Sequence, residues 1–217
     1  MARLISIVGN TGSGKTTLTR LLYEQAGYAT GLEEHTSRPF QALFKQDRRY
    51  ALANQVDYLL LRAEQEQAIR RGAQTGVLDG GLEVDFYVFT RLFHQKGWLD
   101  DREFSLIERL YTTLRNLLPP PDVIVYLQVP PEIAAERFRR RGRRLEIAEL
   151  ADIHFTHALL EDWISSVDRN QVIFFDASPD DPTYRLALPH LLAQIAALLE
   201  TRDQQREPEI NREKAPK

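Results

Sequence analysis

At 217 residues, of which 43% are apolar, the chain is long enough to form one domain around a substantial hydrophobic core. Its 28 basic and 31 acidic residues give a net charge of −3, which excludes a polycation that coats nucleic acid with its whole surface. The lack of cysteine excludes disulfides and thiolate zinc sites, and no apolar run approaches the roughly 20 residues of a membrane-spanning helix. Because the first residues lead directly into an apolar run without the pattern of a signal peptide, we expect a cytoplasmic protein.

Five short apolar runs predict β-strands, at residues 3–9, 28–33, 76–79, 122–129 and 171–177. Helical periodicity between them predicts helices at residues 15–26, 48–71, 82–96, 103–117, 131–141, 146–167 and 182–200. This alternation predicts an α/β fold with a five-stranded parallel sheet and helices on both faces. We expect residues 1–200 to form this single domain. Residues 201–217 are charged and lack apolar periodicity, so we expect a flexible C-terminal tail there.

A glycine-rich segment, GNTGSGKT at residues 9–16, lies between the first predicted strand and the first predicted helix. It matches the P-loop pattern G-x-x-x-x-G-K-[ST], in which backbone amides surround phosphate oxygens, the lysine contacts the outer phosphates and the hydroxyl binds Mg²⁺. The segment predicts a three-layer fold of the P-loop NTPase type that binds MgATP. P-loops serve switches, motors and kinases, so the motif leaves the reaction open. The predicted nucleotide-binding residues are Gly9, Asn10, Thr11, Gly12, Ser13, Gly14, Lys15, Thr16 and Thr17.

Two acids end predicted strands, and open parallel sheets bind ligands at this edge. Glu33 ends the second strand and Asp79 ends the third. One carboxylate could deprotonate an acceptor hydroxyl while the other binds Mg²⁺ or its waters. The alternative for each acid is a structural role as a helix cap or a turn residue. For Asp79, which two glycines follow, the two interpretations are about equally favoured.

Residues 137–144 contain six arginines, directly after a predicted helix that begins with PPE. Taken alone, such a run is typical of a solvated basic helix face or a nucleic-acid patch. Beside a P-loop it favours a lid, because arginines on a closing segment can neutralise a transferring phosphoryl group and exclude water. We therefore predict an arginine-rich lid at about residues 137–146.

With these motifs combined, the chain resembles the deoxyribonucleoside kinase family from the P-loop to about Trp163. The resemblance implies that Glu33, in LEEHTSRPF, is the general base that accepts the proton of the 5′-hydroxyl. In the lid RFRRRGRRLE it implies that Glu146 binds the sugar 3′-hydroxyl. The lid residues that it assigns to phosphates are Arg137, Arg141 and Arg143.

The same resemblance implies a nucleobase site on the long helix at residues 48–71. Gln55 and Arg62 would contact the base, Asp85 would lie beside Arg62, and Phe89 would pack against the base ring. Gln55 and Arg62 are seven residues apart and share one helix face. Without the resemblance, polar surface residues are the favoured interpretation of this pair.

The chain departs from the family pattern at four positions, one of which is Glu34 in place of the proline that commonly follows the general base. Gly80 replaces an arginine that follows the strand-end acid, and Gly81 replaces a serine. Phe44 stands where the family usually has a tyrosine that contacts the sugar. An arginine that stabilises phosphoryl transfer is worth roughly 10³-fold or more in rate, so another cation would have to compensate. Candidates for that cation are Arg38, Lys45, Arg140 and Arg144.

The sequence therefore supports MgATP-dependent transfer of the γ-phosphoryl group to the 5′-hydroxyl of a deoxyribonucleoside, with Asp79 and Thr16 at Mg²⁺. One alternative is a nucleotide or nucleoside sensor on the same scaffold, and another is a kinase that accepts nucleoside monophosphates. By resemblance we expect a homodimer through helices near residues 48–71 and 82–97. We expect no polymeric nucleic acid and no membrane as partners, and the preferences for base and phosphate donor stay open.

Overall fold

The computed structural model describes residues 1–31, 38–141, 150–181 and 183–213, and all structural statements refer to these residues. The strands are β1 (Leu4–Gly9), β2 (Ala29–Gly31), β3 (Gly76–Asp79), β4 (Val123–Gln128) and β5 (Val172–Asp176). The helices are α1 (Lys15–Ala26), α2 (Pro39–Gln46), α3 (Ala51–Arg71), α4 (Leu82–Val84), α5 (Arg91–Gln95), α6 (Asp101–Leu117), α7 (Pro131–Arg141), α8 (Ile153–Ser166) and α9 (Leu188–Glu213). A π-helical turn (Asp85–Thr90) joins α4 to α5, and short 3₁₀ turns cover Arg48–Tyr50, Leu150–Asp152 and Arg169–Gln171.

The strands form one sheet in the order β2-β3-β1-β4-β5, and every neighbouring pair is parallel. Parallel strands need crossover connections, and the helices between successive strands supply them. The predicted α/β fold with a five-stranded parallel sheet is thereby confirmed. Strand β1 lies in the centre, so the loop that follows it opens between the ends of β3 and β4.

Helices cover both faces of the sheet, because successive side chains of a strand point to opposite sides. Ile5 and Ile7 of β1 pack in one cluster with buried residues of α1, α7 and α9. Val8 packs on the opposite face with residues of α8 and of the segment around the π-helical turn. Leu4 also lies on that face, against Ile69 of α3. The sheet is therefore the middle of three layers, as predicted.

Two helical segments differ from the sequence-based prediction. Helix α2 was not predicted; Pro39 occupies its first turn, and Phe44 anchors it in the core. Helix α9 begins at Leu188 and continues to Glu213, so the predicted helix end at residue 200 is wrong, while the flexibility of the tail stays a prediction. Glutamine, arginine and glutamate favour helices, and extending an existing helix avoids the cost of nucleation. In the described part of the chain, no helix is both long and apolar enough to span a membrane.

Candidate active site

The P-loop is packed too tightly for side chains at two of its glycines. Gly12 and Gly14 have left-handed backbone angles, with φ of +84° and +100°. A Cβ on Gly12 would lie 2.4 Å from the carbonyl oxygen of Ala134 in α7, and one on Gly14 would lie 2.5 Å from the hydroxyl of Tyr184. The loop is therefore held between α7 and the segment that precedes α9.

Asn10 anchors the P-loop to α8. Its buried amide Nδ2 donates to the carbonyl of Ile153 at 2.8 Å, and its Oδ1 accepts from the backbone amide of Thr11 at 2.8 Å and from the hydroxyl of Thr156 at 2.9 Å. The Lys15 Nζ donates to the carbonyl oxygens of Gly9 and Asn10, each at 3.0 Å. The P-loop pattern allows any residue at position 10, so the motif alone does not indicate this anchoring contact.

Thr16 and Asp79 meet at the start of α1 and the end of β3. The Thr16 hydroxyl donates to Asp79 Oδ2 at 2.5 Å, and Asp79 is buried. Mg²⁺ prefers oxygen ligands and is usually bound by one or two carboxylates together with phosphate oxygens and waters. This hydroxyl and carboxylate fit that ligand set. Within the described residues, no group of three histidine, aspartate or glutamate side chains forms a metal site by itself.

Two glycines follow Asp79 and turn the chain sharply, and we refer to Asp79, Gly80 and Gly81 as the corner. Gly80 has φ of +87° and Gly81 has φ of +149°, in the region that favours glycine. The Gly80 amide donates to the carbonyl of Ile7 at 2.9 Å, and its carbonyl accepts from the Ser6 hydroxyl at 2.6 Å. Two hydrogen bonds between the Gly80 backbone and β1, one of them from the Ser6 side chain, therefore hold the corner in place.

The residues assigned to the nucleobase come together beyond the corner. Arg62 Nε donates to Asp85 Oδ2 at 3.0 Å, and both side chains are buried. Gln55 Nε2 donates to the Asp85 carbonyl oxygen at 2.6 Å, which also accepts from the Thr90 hydroxyl at 2.9 Å. These bonds surround the π-helical turn, a feature that often marks functional sites. The predicted proximity of Arg62 and Asp85 is present in the structure.

Gln55 and its neighbour Asn54 have buried polar atoms without hydrogen-bond partners among the described residues. These atoms are Gln55 Oε1 and both Oδ1 and Nδ2 of Asn54. A buried polar atom without a partner typically costs about 1–3 kcal/mol, so native proteins keep few of them. Sequence analysis missed Asn54, because one asparagine on a long helix carries no signal of burial.

The two predicted aromatic contacts differ in burial. Phe44 is completely buried; its ring stacks on Phe93 with centroids 4.8 Å apart and meets Trp98 at 5.5 Å. The structure therefore places Phe44 in the core rather than at a ligand surface. Phe89 is only partly buried and packs between two hydrophobic clusters, beside the Asp85 segment.

A cavity of about 320 Å³ lies between the P-loop, α7 and the segment that precedes α9. Arg137 lines it and donates to the carbonyl oxygens of Ala177, Ser178 and Pro179 at 2.7, 2.9 and 2.9 Å. Arg137 thus ties α7 to the segment after β5, whereas the resemblance assigned it to phosphates. The full lining consists of Gly12, Gly14, Thr17, Arg137, Arg140, Pro179, Asp180, Asp181 and Tyr184.

Comparison with known proteins agrees with this geometry. The family model described as deoxynucleoside kinase matches residues 5–198. The chain belongs to the deoxynucleoside kinase family. It is 34% identical over 143 residues to the deoxyadenosine kinase of Dictyostelium discoideum, across 65% of this chain and 58% of that enzyme. It is 27% identical over 174 residues to the deoxyadenosine/deoxycytidine kinase of Bacillus subtilis, across 78% and 80%. It is also 29% identical over 144 residues to a probable thymidylate kinase of Pyrobaculum aerophilum, across 64% and 70%. The chain thus spans less than two thirds of the Dictyostelium enzyme.

Several predicted family positions lie outside the described residues. They are Glu33, Arg143 and Glu146, together with the side chain of Arg141 at the end of α7. Family membership is confirmed, while the roles of these residues stay predictions. Asp180 and Tyr184 at the cavity were missed, because a segment between a strand and a helix shows its neighbours only after folding.

Proposed function

We propose that the chain transfers the γ-phosphoryl group of MgATP to the 5′-hydroxyl of a deoxyribonucleoside, giving the deoxynucleoside monophosphate and ADP. The main support for this proposal is the hydrogen bond between Thr16 and Asp79. It joins the P-loop to the strand that leads to Asp85. Asp85, which pairs with Arg62, lies six positions after Asp79. A triphosphate on the P-loop and a nucleoside beside Asp85 would therefore flank the same corner.

At the phosphate end, each residue has a role that its chemistry supports. Bound Mg²⁺ would neutralise part of the charge on the phosphate oxygens. Thr16 and Asp79 would hold it, and the backbone amides of the P-loop would bind phosphate oxygens. Lys15 would exchange its present carbonyl partners for the outer phosphates. Glu33 would accept the proton of the 5′-hydroxyl, and Arg141 and Arg143 would close over the phosphates.

At the nucleoside end, the buried polar side chains can read a base. Gln55 already uses its Nε2 on the Asp85 carbonyl, so its buried Oε1 remains as an acceptor for an N–H group. Arg62 and Asp85 add donors and an acceptor, and Phe89 offers an apolar ring face. Glu146 would bind the sugar 3′-hydroxyl. The relatives named for deoxyadenosine and deoxycytidine agree with a deoxynucleoside acceptor.

An assay that detects the diphosphate product, ADP or GDP, with each of the four deoxynucleosides and with ATP or GTP as donor, tests the proposal. Turnover of at least one deoxynucleoside by folded protein is expected. Glu33→Gln should lower kcat by about 10²–10⁴-fold, the usual contribution of a general base. The matched control is Glu108→Gln, which changes an exposed acid on α6. Absence of turnover with all four acceptors would reject the proposed reaction.

Two other functions have one supporting observation each. The lack of side chains at Gly80 and Gly81 favours a sensor that binds ligands without transfer, and calorimetry would then show nucleoside binding without product. The similarity to a probable thymidylate kinase favours a monophosphate acceptor. Including the four deoxynucleoside monophosphates in the same assay separates this function from the first.

We also propose the remaining expected features of this kinase. Residues 1–200 would act as one catalytic domain with the lid at about residues 137–146. Consumption of MgATP is consistent with a cytoplasmic location. A homodimer is expected from the family resemblance.

A further inference from the structure

The corner is a place where phosphoryl transfer needs positive charge. Asp79 is buried there, and neither of the two residues that follow it has a side chain. During transfer, negative charge spreads over the phosphoryl oxygens and the attacking and leaving oxygens. Mg²⁺ held by Asp79 would neutralise part of this charge, and a side-chain cation at the corner would stabilise the rest.

Two of the arginines that sequence analysis offered as the compensating cation are engaged elsewhere. Arg38 makes two hydrogen bonds to the carboxylate of Asp57, from Nε at 2.8 Å and from Nη2 at 2.6 Å. Arg140 lines the cavity and forms ion pairs with Glu136 and Asp180. These contacts hold both guanidinium groups at other sites.

Arg62 also has polar partners, and its guanidinium group faces the corner directly. Its Nη2 lies 3.4 Å from the position that a Cβ on Gly80 would occupy, and its Cζ lies 3.7 Å from that position. The opposite side of the same guanidinium is fixed, because Nε donates to Asp85 Oδ2 and Nη1 donates to Gln65 Oε1 at 3.1 Å. A guanidinium is planar and always charged, so fixing one edge also fixes the direction of the other.

We propose that Arg62 is a catalytic residue as well as a partner of Asp85: its Nη2 edge stabilises the charge on the reacting oxygens at the corner. This inference rests on the proposed kinase reaction. In that reaction the 5′-hydroxyl proton passes to Glu33, the bond from O5′ to Pγ forms, and the bond from Pγ to the β,γ-bridging oxygen breaks. Gly80 has a matching role, because a side chain at this position would begin 3.4 Å from Nη2 and would compete with these oxygens for that edge.

Arg62→Ala tests this role through kcat measured at saturating nucleoside. We expect kcat to fall by about 10²-fold or more. Removal of a residue that acts in the transition state lowers kcat and not only apparent affinity. Guanidinium ion at millimolar concentration should restore kcat of this variant at least tenfold, whereas sodium chloride at equal ionic strength should not. Arg102→Ala, which removes an exposed arginine on α6, is the control and should respond to neither salt.

Other kinetic results would overturn the proposed role of Arg62. If Arg62→Ala raises the KM for the nucleoside and leaves kcat unchanged, then Arg62 only binds the base and the proposal is wrong. If removal of the buried partner of Asp85 prevents folding, Arg62→Gln keeps a hydrogen-bonding group for Asp85 and removes the charge; its kcat should fall while Arg62→Lys retains more. Equal kcat for these two variants and wild type would also reject the role. Wild type that is inactive with every deoxynucleoside would instead reject the kinase reaction itself.

Discussion

Gly80 combines a left-handed backbone with a close side-chain neighbour, and both oppose the arginine that the family pattern places there. A non-glycine residue in this conformation costs about 1–2 kcal/mol. The new side chain would also begin 3.4 Å from Arg62 Nη2 and would add a second guanidinium charge. We therefore expect Gly80→Arg to lower both kcat and the free energy of unfolding, measured by steady-state kinetics and by denaturant titration.

Gly97→Arg is the matched control for this substitution. Gly97 has φ of +68°, and a Cβ there would meet no atom of the described residues within 4 Å. The Gly97→Arg variant should lose only the contribution of the glycine backbone to stability, and its kcat should equal that of wild type. A rise of kcat above the wild-type value in Gly80→Arg would mean that the corner lacks a cation, and it would contradict the role given to Arg62.

Glu83, four residues after Asp79, is a buried acid whose titration should appear in the stability of the protein. Its Oε1 lies 2.9 Å from Arg115, and the same guanidinium contacts Glu66 of α3 at 3.0 Å. Burial raises the pKa of Glu83 to about 7; attraction to Arg115 opposes the shift and repulsion from Glu66 adds to it. The folded protein therefore holds a proton between pH 4.5 and 7 that the unfolded chain releases.

The sign of the pH dependence of stability follows from this difference in bound protons. The free energy of unfolding should fall as the pH rises from 4.5 to about 7, because the folded state must then give up its proton. Glu83→Gln removes this dependence, so relative to the variant the wild type should lose on the order of 1–3 kcal/mol across the window. Denaturant titrations at several pH values measure the two slopes. Glu108→Gln, at an exposed position, should keep the wild-type slope, and equal slopes for Glu83→Gln and wild type would contradict the buried titration.

At the scale of elements, the contact between the P-loop and α7 should be more sensitive to substitution than the P-loop motif suggests. Gly12→Ala would place a Cβ 2.4 Å from the backbone oxygen of Ala134, a contact that no rotamer can relieve. We expect a loss of at least about 2 kcal/mol in the free energy of unfolding beyond that of Gly27→Ala, because backbone must move. Gly27 also has a left-handed backbone, but a Cβ there would meet no atom within 4 Å in the part of the chain that the structure describes. ATP affinity, measured by calorimetry, should fall in Gly12→Ala and stay unchanged in Gly27→Ala; equal stability losses would contradict the packing argument.

Elements were predictable where the signal is local. The strand at residues 76–79 and the helices at residues 15–26 and 131–141 have the predicted bounds, because apolar runs, the P-loop and Pro131 mark them in the sequence. Pairing across long separations could not be read in this way. The resemblance assigns Arg137 to phosphates, and that role stays a prediction. Its three carbonyl partners lie about forty residues away and could not be read from the lid motif. The burial of Asn54 and Phe44 depends in the same way on elements distant in sequence.

At the scale of the whole molecule, the outer surface of α3 and α6 is the best candidate for the proposed homodimer contact. The two helices pack against each other, and each keeps leucines at the surface. Leu60 on α3 is 43% exposed, and Leu106 and Leu117 on α6 are 48% and 74% exposed. Contiguous exposed apolar surface is typical of protein interfaces. The segment at residues 82–97, also expected in the interface, is mostly buried within the chain and offers little surface.

A double variant, Leu60→Asp with Leu106→Asp, tests this interface. Charged groups without partners are strongly unfavourable in the core of an interface, so the variant should be monomeric. Size-exclusion chromatography with light scattering should give twice 25.0 kDa for wild type and 25.0 kDa for the variant. Leu186→Asp, at a leucine that is 91% exposed before α9, should remain dimeric. Because these leucines lie on outer helix surfaces, a folded monomer that keeps its ATP affinity would separate assembly from nucleotide binding. Wild type at 25.0 kDa, or a double variant that stays dimeric, would contradict the interface.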